Sequence, residues 1–226
     1  TPQASKQWTR EVYGETTLAR QELEGHWVNA EGMGFDTFSP MSHVRLPPNM
    51  AYSRKMAGVD FGAVNPSAIE GFGLHQGRLY GLKEFYRARC KEEELAQACS
   101  DFLREGFMLV GDPHGMGKEQ METLRRYGIP IRPARAHAFE YRFRLMLSRL
   151  ALRDGWPGVT FSPMQPNLIR EVSTLALHTN PMGQVTLDKW AYGLPDHAYS
   201  AACDAMTEMD SPAFIPKTAP RVYINA

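Results

Sequence analysis

From residue 54 onward, apolar and polar positions follow each other in short, well-bounded stretches, and their order predicts a mixed α/β sheet. Residues 55–60 read as an apolar-rich strand that ends in Asp-Phe-Gly. Residues 67–75 and 78–86 read as two more strands joined by the tight turn Gln76-Gly77. A helix over 91–105 follows, with Leu95, Ala98, Phe102 and Leu103 at helical spacing. Residues 107–110 form an uninterrupted apolar run between Gly106 and Gly111, the pattern of a strand buried on both faces. A helix over 118–127 stops at Gly128, a fifth strand covers 129–132, and a long helix over 138–153 carries Phe139, Phe143, Leu147 and Leu150 on one stripe.

Beyond that helix the pattern becomes β-rich, with strands expected over 159–162, 175–179 and 184–188. The segment Asn180-Pro-Met-Gly183 forms a hairpin turn between the last two. A helix over 196–209 closes the domain. The expected fold is therefore α/β: an antiparallel meander leading into parallel strands, helices on both faces, and a β-hairpin insertion before the last helix. Residues 1–50 read as an extension with one helix over 16–29, residues 51–210 as the compact domain, and residues 211–226 as a flexible tail.

Composition narrows this picture only a little. Hydrophobic residues make up 43% and charged residues 22%, as in ordinary globular proteins. No apolar stretch approaches the length of a bilayer span, and no signal-peptide core is present, so no membrane partner is expected. The three cysteines, Cys90, Cys99 and Cys203, form no CxxC pair, which fits a reducing compartment and not zinc ligation. The missing initiator Met points to an excised fragment or a processed chain.

Net charge is zero, but it is segregated. Between Arg125 and Arg153 stand eight arginines against one acid, Glu140, whereas Glu92, Glu93, Glu94, Asp101 and Glu105 make the preceding helix acidic. A cationic stretch on a neutral chain is a candidate phosphate-binding face, with a solvated helix surface as the alternative. Its candidate contacts are Arg132, Arg135, Arg142, Arg144 and Arg149.

Two aspartates close strands. Asp60 ends the first, and Asp112 follows the buried run and precedes Pro113-His114-Gly115. If those strands are parallel neighbours, both carboxylates emerge side by side at the sheet edge where α/β active sites gather. Either aspartate alone could merely cap a turn. Together they would repel unless a cation lay between them, and Mg²⁺ or Mn²⁺ prefers such hard oxygen ligands. Asp196, at the start of the last helix, supplies a third carboxylate. Asp204 lies about 12 Å further along the axis and is the fallback. His114, His197 and Glu84 are possible supporting residues around these ligands. The segment GDPHGMGKE resembles a P-loop, but Asp112 stands where the first glycine belongs and Glu119 replaces the magnesium-binding hydroxyl, so ATP binding here is rejected.

The ordered set VDFG, VGDPHG about 50 residues later, and PDHAYSAACDAM resembles the nuclease domain of tailed-phage terminase large subunits, the motors that package and cut viral DNA. The stretch ARQELEGHWVNAEGMGFDTF is similar to the linker after their ATPase domain. The resemblance implies a ribonuclease H-like fold, two divalent metal ions, and metal-dependent endonuclease cleavage of double-stranded viral DNA during genome packaging. By position, Asp60, Asp112 and Asp196 match the family's three acids. It also implies an upstream ATPase domain, a portal and a small terminase subunit as partners, and the host cytoplasm as location. Rival readings are a Holliday-junction resolvase or transposase, an actin-like or sugar-kinase ATPase fragment, and a non-catalytic ribonuclease H-like scaffold.

Overall fold

The computed structural model describes residues 33–209 apart from 136, 154, 181, 183 and 184. The helix expected over 16–29 and the tail over 211–226 lie outside the described residues. In chain order the elements are α1 (Pro40–His43), β1 (Arg54–Asp60), β2 (Pro66–His75), β3 (Arg78–Ala88), α2 (Glu92–Arg104), β4 (Met108–Gly111), α3 (Gly117–Arg126) and β5 (Ile131–Pro133). There follow α4 (Phe139–Leu150), β6 (Leu152–Arg153), β7 (Trp156–Pro157), β8 (Val159–Thr160), α5 (Pro166–Thr174), β9 (Leu177–Thr179), β10 (Val185–Trp190) and α6 (His197–Met209).

Six strands form one sheet in the order β5-β4-β1-β2-β3-β8. β2 runs antiparallel to both β1 and β3, while β4 runs parallel to β1, β5 to β4 and β8 to β3. The side-chain alternation of β1 assigns the two faces. Ala57 and Val59 pack with Leu95, Cys99 and Phe102 of α2 and with Met121 and Leu124 of α3. Met56 packs on the opposite side, in the larger core built with α4, α5 and α6. This is the sandwiched mixed sheet that the hydrophobic pattern predicts.

Three features depart from the pattern. Phe35 and Phe38, in the stretch read as an extension, are buried in the larger core, and Met33 bridges to Ala176, so packing reaches back to at least Met33. The long helix ends at Leu150, because Ala151 turns extended and Leu152-Arg153 pairs with Trp156-Pro157 in a small hairpin. An unforeseen helix, α5, fills a stretch to which the sequence pattern assigns no element. Its Leu168, Ile169 and Val172 are fully buried. The expected hairpin before the last helix is present as the antiparallel pair β9–β10. No described helix is long and apolar enough to cross a membrane.

Candidate active site

The parallel register pairs Val59 of β1 with Gly111 of β4. Asp60 and Asp112 are the next residues on each strand, so they leave the sheet at the same level on strands that lie about 4.8 Å apart. Gly117, the first residue of α3, makes room for this edge: a Cβ there would lie 1.7 Å from the Asp112 carbonyl oxygen.

α6 supplies the third wall. It crosses β1 so closely that a Cβ on Gly58 would lie 1.8 Å from the Ala201 carbonyl oxygen. The helix therefore brings its first turn to the end of β1, where the His197 ring meets Asp60 with Nδ1 2.9 Å from Oδ2. Asp196 immediately precedes the helix, and its carbonyl accepts the Ser200 N–H at 2.8 Å. Burial raises the Asp196 carboxyl above its ordinary value, and the negative charge of Asp60 raises it further. Asp60 and Asp196 thus feel each other as like charges.

Asp112 is held differently. Burial works against its charge, but the His114 backbone N–H at 2.9 Å, the His114 ring at 2.6 Å and the Arg142 guanidinium together keep its carboxyl below the usual value. Arg142 reaches Asp112 at 3.5 Å and Asp204 at 3.0 Å. Asp204 is only 2% exposed, and burial pushes its pKa up to about 8 despite Arg142. It lies two turns along α6 from Asp196, beneath the rim, where it anchors the arginine.

The other residues singled out from the sequence are distributed as follows. Glu84 does not join the aspartates. Its carboxylate accepts N–H groups of Asn167 and Leu168 at 3.0 and 2.9 Å and so caps the start of α5. Arg144 pairs with Glu140 one turn away, and Arg135 with Glu208. Arg132 points one guanidinium nitrogen at the Met108 sulfur. Arg142 is mostly buried among carboxylates and is not an open phosphate contact. Arg149 lies at the far end of α4, where it donates to the Gly77 carbonyl. Among the described residues, no three His, Cys, Asp or Glu side chains stand close enough together to form a ready metal-holding group; the Asp60 and Asp112 carboxylates are met by His197 and His114.

A cleft of about 400 Å³ opens beside Asp112 and Asp196, walled by His137, Phe139, Arg142, Trp190 and Tyr199. Sequence reasoning missed Trp190, Tyr199 and His137, since nothing local marks an aromatic residue as a cleft wall. It also missed Glu171. This residue of α5 is fully buried, and its carboxylate accepts the Tyr199 N–H of the first turn of α6 at 2.8 Å and the Tyr86 hydroxyl at 3.0 Å. It therefore caps a helix from another element and holds the end that carries Asp196. Burial raises its pKa to about 7. Glu171→Ala is expected to cost about 1–3 kcal/mol for each buried donor left unpaired, whereas Glu171→Gln keeps an acceptor and costs less. Chemical denaturation of the two variants measures the difference, and equal losses would remove the capping role.

No protein-family model matches the chain, and no curated protein matches it. Solved structures do. The large terminase of a thermophilic bacteriophage superposes with a TM-score of 0.63 and 20% identity over 91% of this chain and 51% of that one. The nuclease domain of the bacteriophage SPP1 large terminase, solved with bound Mn, gives 0.59 and 18% identity over 75% and 97%. The P22 large-terminase nuclease domain gives 0.62 and 13% identity over 79% and 92%. The chain has the fold of a large-terminase nuclease domain. That fold is the ribonuclease H-like mixed sheet expected from the sequence. The chain spans about half the length of the thermophilic-phage protein, and the two nuclease domains are matched over nearly their whole length.

Proposed function

We propose that this chain is the nuclease part of a tailed-phage large terminase, a divalent-metal-dependent endonuclease that cuts double-stranded DNA. One observation carries this reading: the β1–β4 register levels Asp60 with Asp112, while α6 brings Asp196 to the same edge. Three hard carboxylates at one edge fit Mg²⁺ or Mn²⁺ in kind, and the metal-bound SPP1 domain shares the fold. Two ions held there would supply an activated water and charge stabilisation at the leaving oxygen. Asp60, in the middle, suits the shared ligand, with Asp112 and Asp196 on either side. Asp196 is preferred to Asp204, because Asp204 lies below the rim and is engaged with Arg142.

The chain's own groups have definable tasks. His114, through its backbone N–H and ring, and Arg142 behind it keep Asp112 ionised. His197 and His114 keep the carboxylates oriented and must swing aside, or hand over one oxygen each, when a cation binds. Phe139, Trp190 and Tyr199 form the aromatic wall of the cleft. In the full-length protein an ATPase domain, a portal and a small terminase subunit complete the packaging machine, which works in the host cytoplasm.

The test is plasmid nicking in Mn²⁺. Wild-type chain should convert supercoiled to open-circular DNA, and Asp60→Asn should not. Undiminished cleavage by the variant would end this reading.

The carboxyl groups also predict how stability responds to pH. Burial lifts Glu171 to about 7, Asp204 to about 8, and Glu70 well above its ordinary value. For each, the folded state binds a proton that the unfolded chain gives up near pH 4. Their contribution is present below the unfolded pKa and is lost as pH rises through the folded value. His197, raised chiefly by its bond to Asp60, acts in the same direction above its ordinary value. In EDTA the thermal midpoint should therefore fall between pH 5 and pH 8. Mn²⁺ should restore more at pH 8 than at pH 5.5, because it needs ionised carboxylates. A melting series at both pH values checks this, and a metal-free midpoint that rises with pH contradicts it.

A further inference from the structure

A second cleft, of about 360 Å³, opens at the other end of the sheet. It lies between the Gln76-Gly77 turn, the end of α4 and the β6–β7 hairpin, and its walls carry Arg78, Arg149, Arg153 and Trp156. The Arg45 guanidinium lies 4.6 Å from the centre of the Trp156 ring and that of Arg78 lies 5.7 Å from it. The indole, itself 48% exposed, thus gathers two cations at the mouth of a cleft that two more line. No carboxylate is among the described lining residues, and no described acid pairs with Arg45, Arg78 or Arg153. The guanidiniums of Arg45, Arg78 and Arg153 so placed repel one another, and their common field attracts a polyanion.

The chemistry and the position both select the anion. Every cation here is an arginine, whose fork matches the oxygens of a phosphate. α4 runs from the active-site cleft, which Phe139 and Arg142 line, to this one, which Ser148 and Arg149 line. Arg142 and Arg149 are seven residues apart, hence on one face of the helix and about 10 Å apart along it. Leu74, beside the turn, pairs with Arg54 at the opposite end of β1 from Asp60. Seven extended residues put the two clefts about 20 Å apart or more, the length of roughly six base pairs of duplex.

We propose that this arginine cleft is a distal phosphodiester-binding site that grips the DNA backbone about six base pairs from the cut and so aligns the duplex along α4. The site rests on the nuclease reading for the identity of its ligand. It contacts phosphates alone and therefore adds affinity and alignment without reading sequence.

Binding is measured in EDTA, where no cutting occurs, by fluorescence anisotropy of a labelled duplex of about 30 base pairs across a salt series. Arg45→Ala/Arg78→Ala/Arg153→Ala should weaken binding on the order of 10²-fold near 0.1 M salt and flatten the log–log salt slope by about 2.7. Arg153→Glu, a single change on the exposed β6, should by itself flatten the slope by about one. It serves as the second reading should the triple variant melt early. Unchanged affinity and slope in a variant that melts like wild type overturns the proposal. So does a poly-glutamate peptide that displaces wild-type protein from DNA at equal charge and loses its own affinity in the variant, which would mark the cleft as a seat for an acidic protein. Nicking by Asp60→Asn would defeat the nuclease reading and leave the EDTA binding result intact, so the two failures are distinguishable.

Discussion

Asp60→Asn is expected to abolish metal-dependent nicking while leaving the chain folded. The loss should be on the order of 10³-fold, the size seen when one preorganised charge is removed from a reacting centre. The substitution keeps the shape of the side chain and a partner for His197, and it removes the negative charge at the end of β1. Three further consequences follow from that removal. The Asp196 carboxyl should return toward its ordinary value, because the Asp60 charge is the second cause of its rise after burial. The metal-free thermal midpoint should change little, because the lost repulsion of Asp196 offsets the lost charge pairing with His197. The rise in midpoint caused by Mn²⁺ should largely vanish. Asp101→Asn is the control: Asp101 pairs with Arg104 on the surface of α2, away from the sheet edge, and its loss should leave nicking as it is. Nicking, melting and Mn²⁺ titration on the three proteins separate a lost ligand from a lost fold. A variant that keeps its Mn²⁺ shift while losing activity would show that Asp60 acts otherwise than by holding metal.

Gly58→Val should be the most destabilising single change near the site. The new Cβ would lie 1.8 Å from the Ala201 carbonyl oxygen and 2.9 Å from the Ala205 nitrogen, and both are backbone atoms of α6. A side chain in the way can rotate, whereas helix backbone has to move as a body. The cost should reach or exceed the upper end of the roughly 1–3 kcal/mol typical of overpacking, which for a domain of this size lowers the midpoint by about 6–12 °C. Activity should fall further than stability. A displaced α6 takes Asp196 and His197 away from Asp60, and small misplacements of reacting groups cost large factors in rate. Gly58→Ala, with the same Cβ and nothing beyond it, should show most of the effect. If Gly58→Val melts like wild type, α6 does not pack as described.

The strand and helix order was legible along the chain because each element carries its own period. β1 to β4 and the helices beside them are bounded by glycines and turns and alternate or repeat as the sheet requires. Asp60 and Asp112 could be picked out for the same reason, since each closes a stretch whose strand character is local. α5 was not legible. Its apolar residues are helically spaced, yet its start is capped by Glu84 of β3, more than 80 residues earlier. The role of Glu84 was hidden likewise, because an isolated acid on a strand says nothing of its direction.

The cationic stretch shows the division best. The sequence identified an excess of arginine between Arg125 and Arg153, and that count stands. It could not sort those arginines, because a charge has no period and its partner lies anywhere in three dimensions. Packing sends Arg142 inward to Asp112 and Asp204, Arg135 to Glu208, and Arg149 with Arg153 to a cleft shared with Arg45 and Arg78 from distant segments. Asp196 is in the same position. Its place at a helix start is local, but its meeting with Asp60, 136 residues earlier, depends on Gly58 letting α6 lie flat on β1. Local periodicity is written in neighbouring residues and can be read from them, whereas which carboxylates share an edge follows from register and close packing, which exist only once the chain has folded.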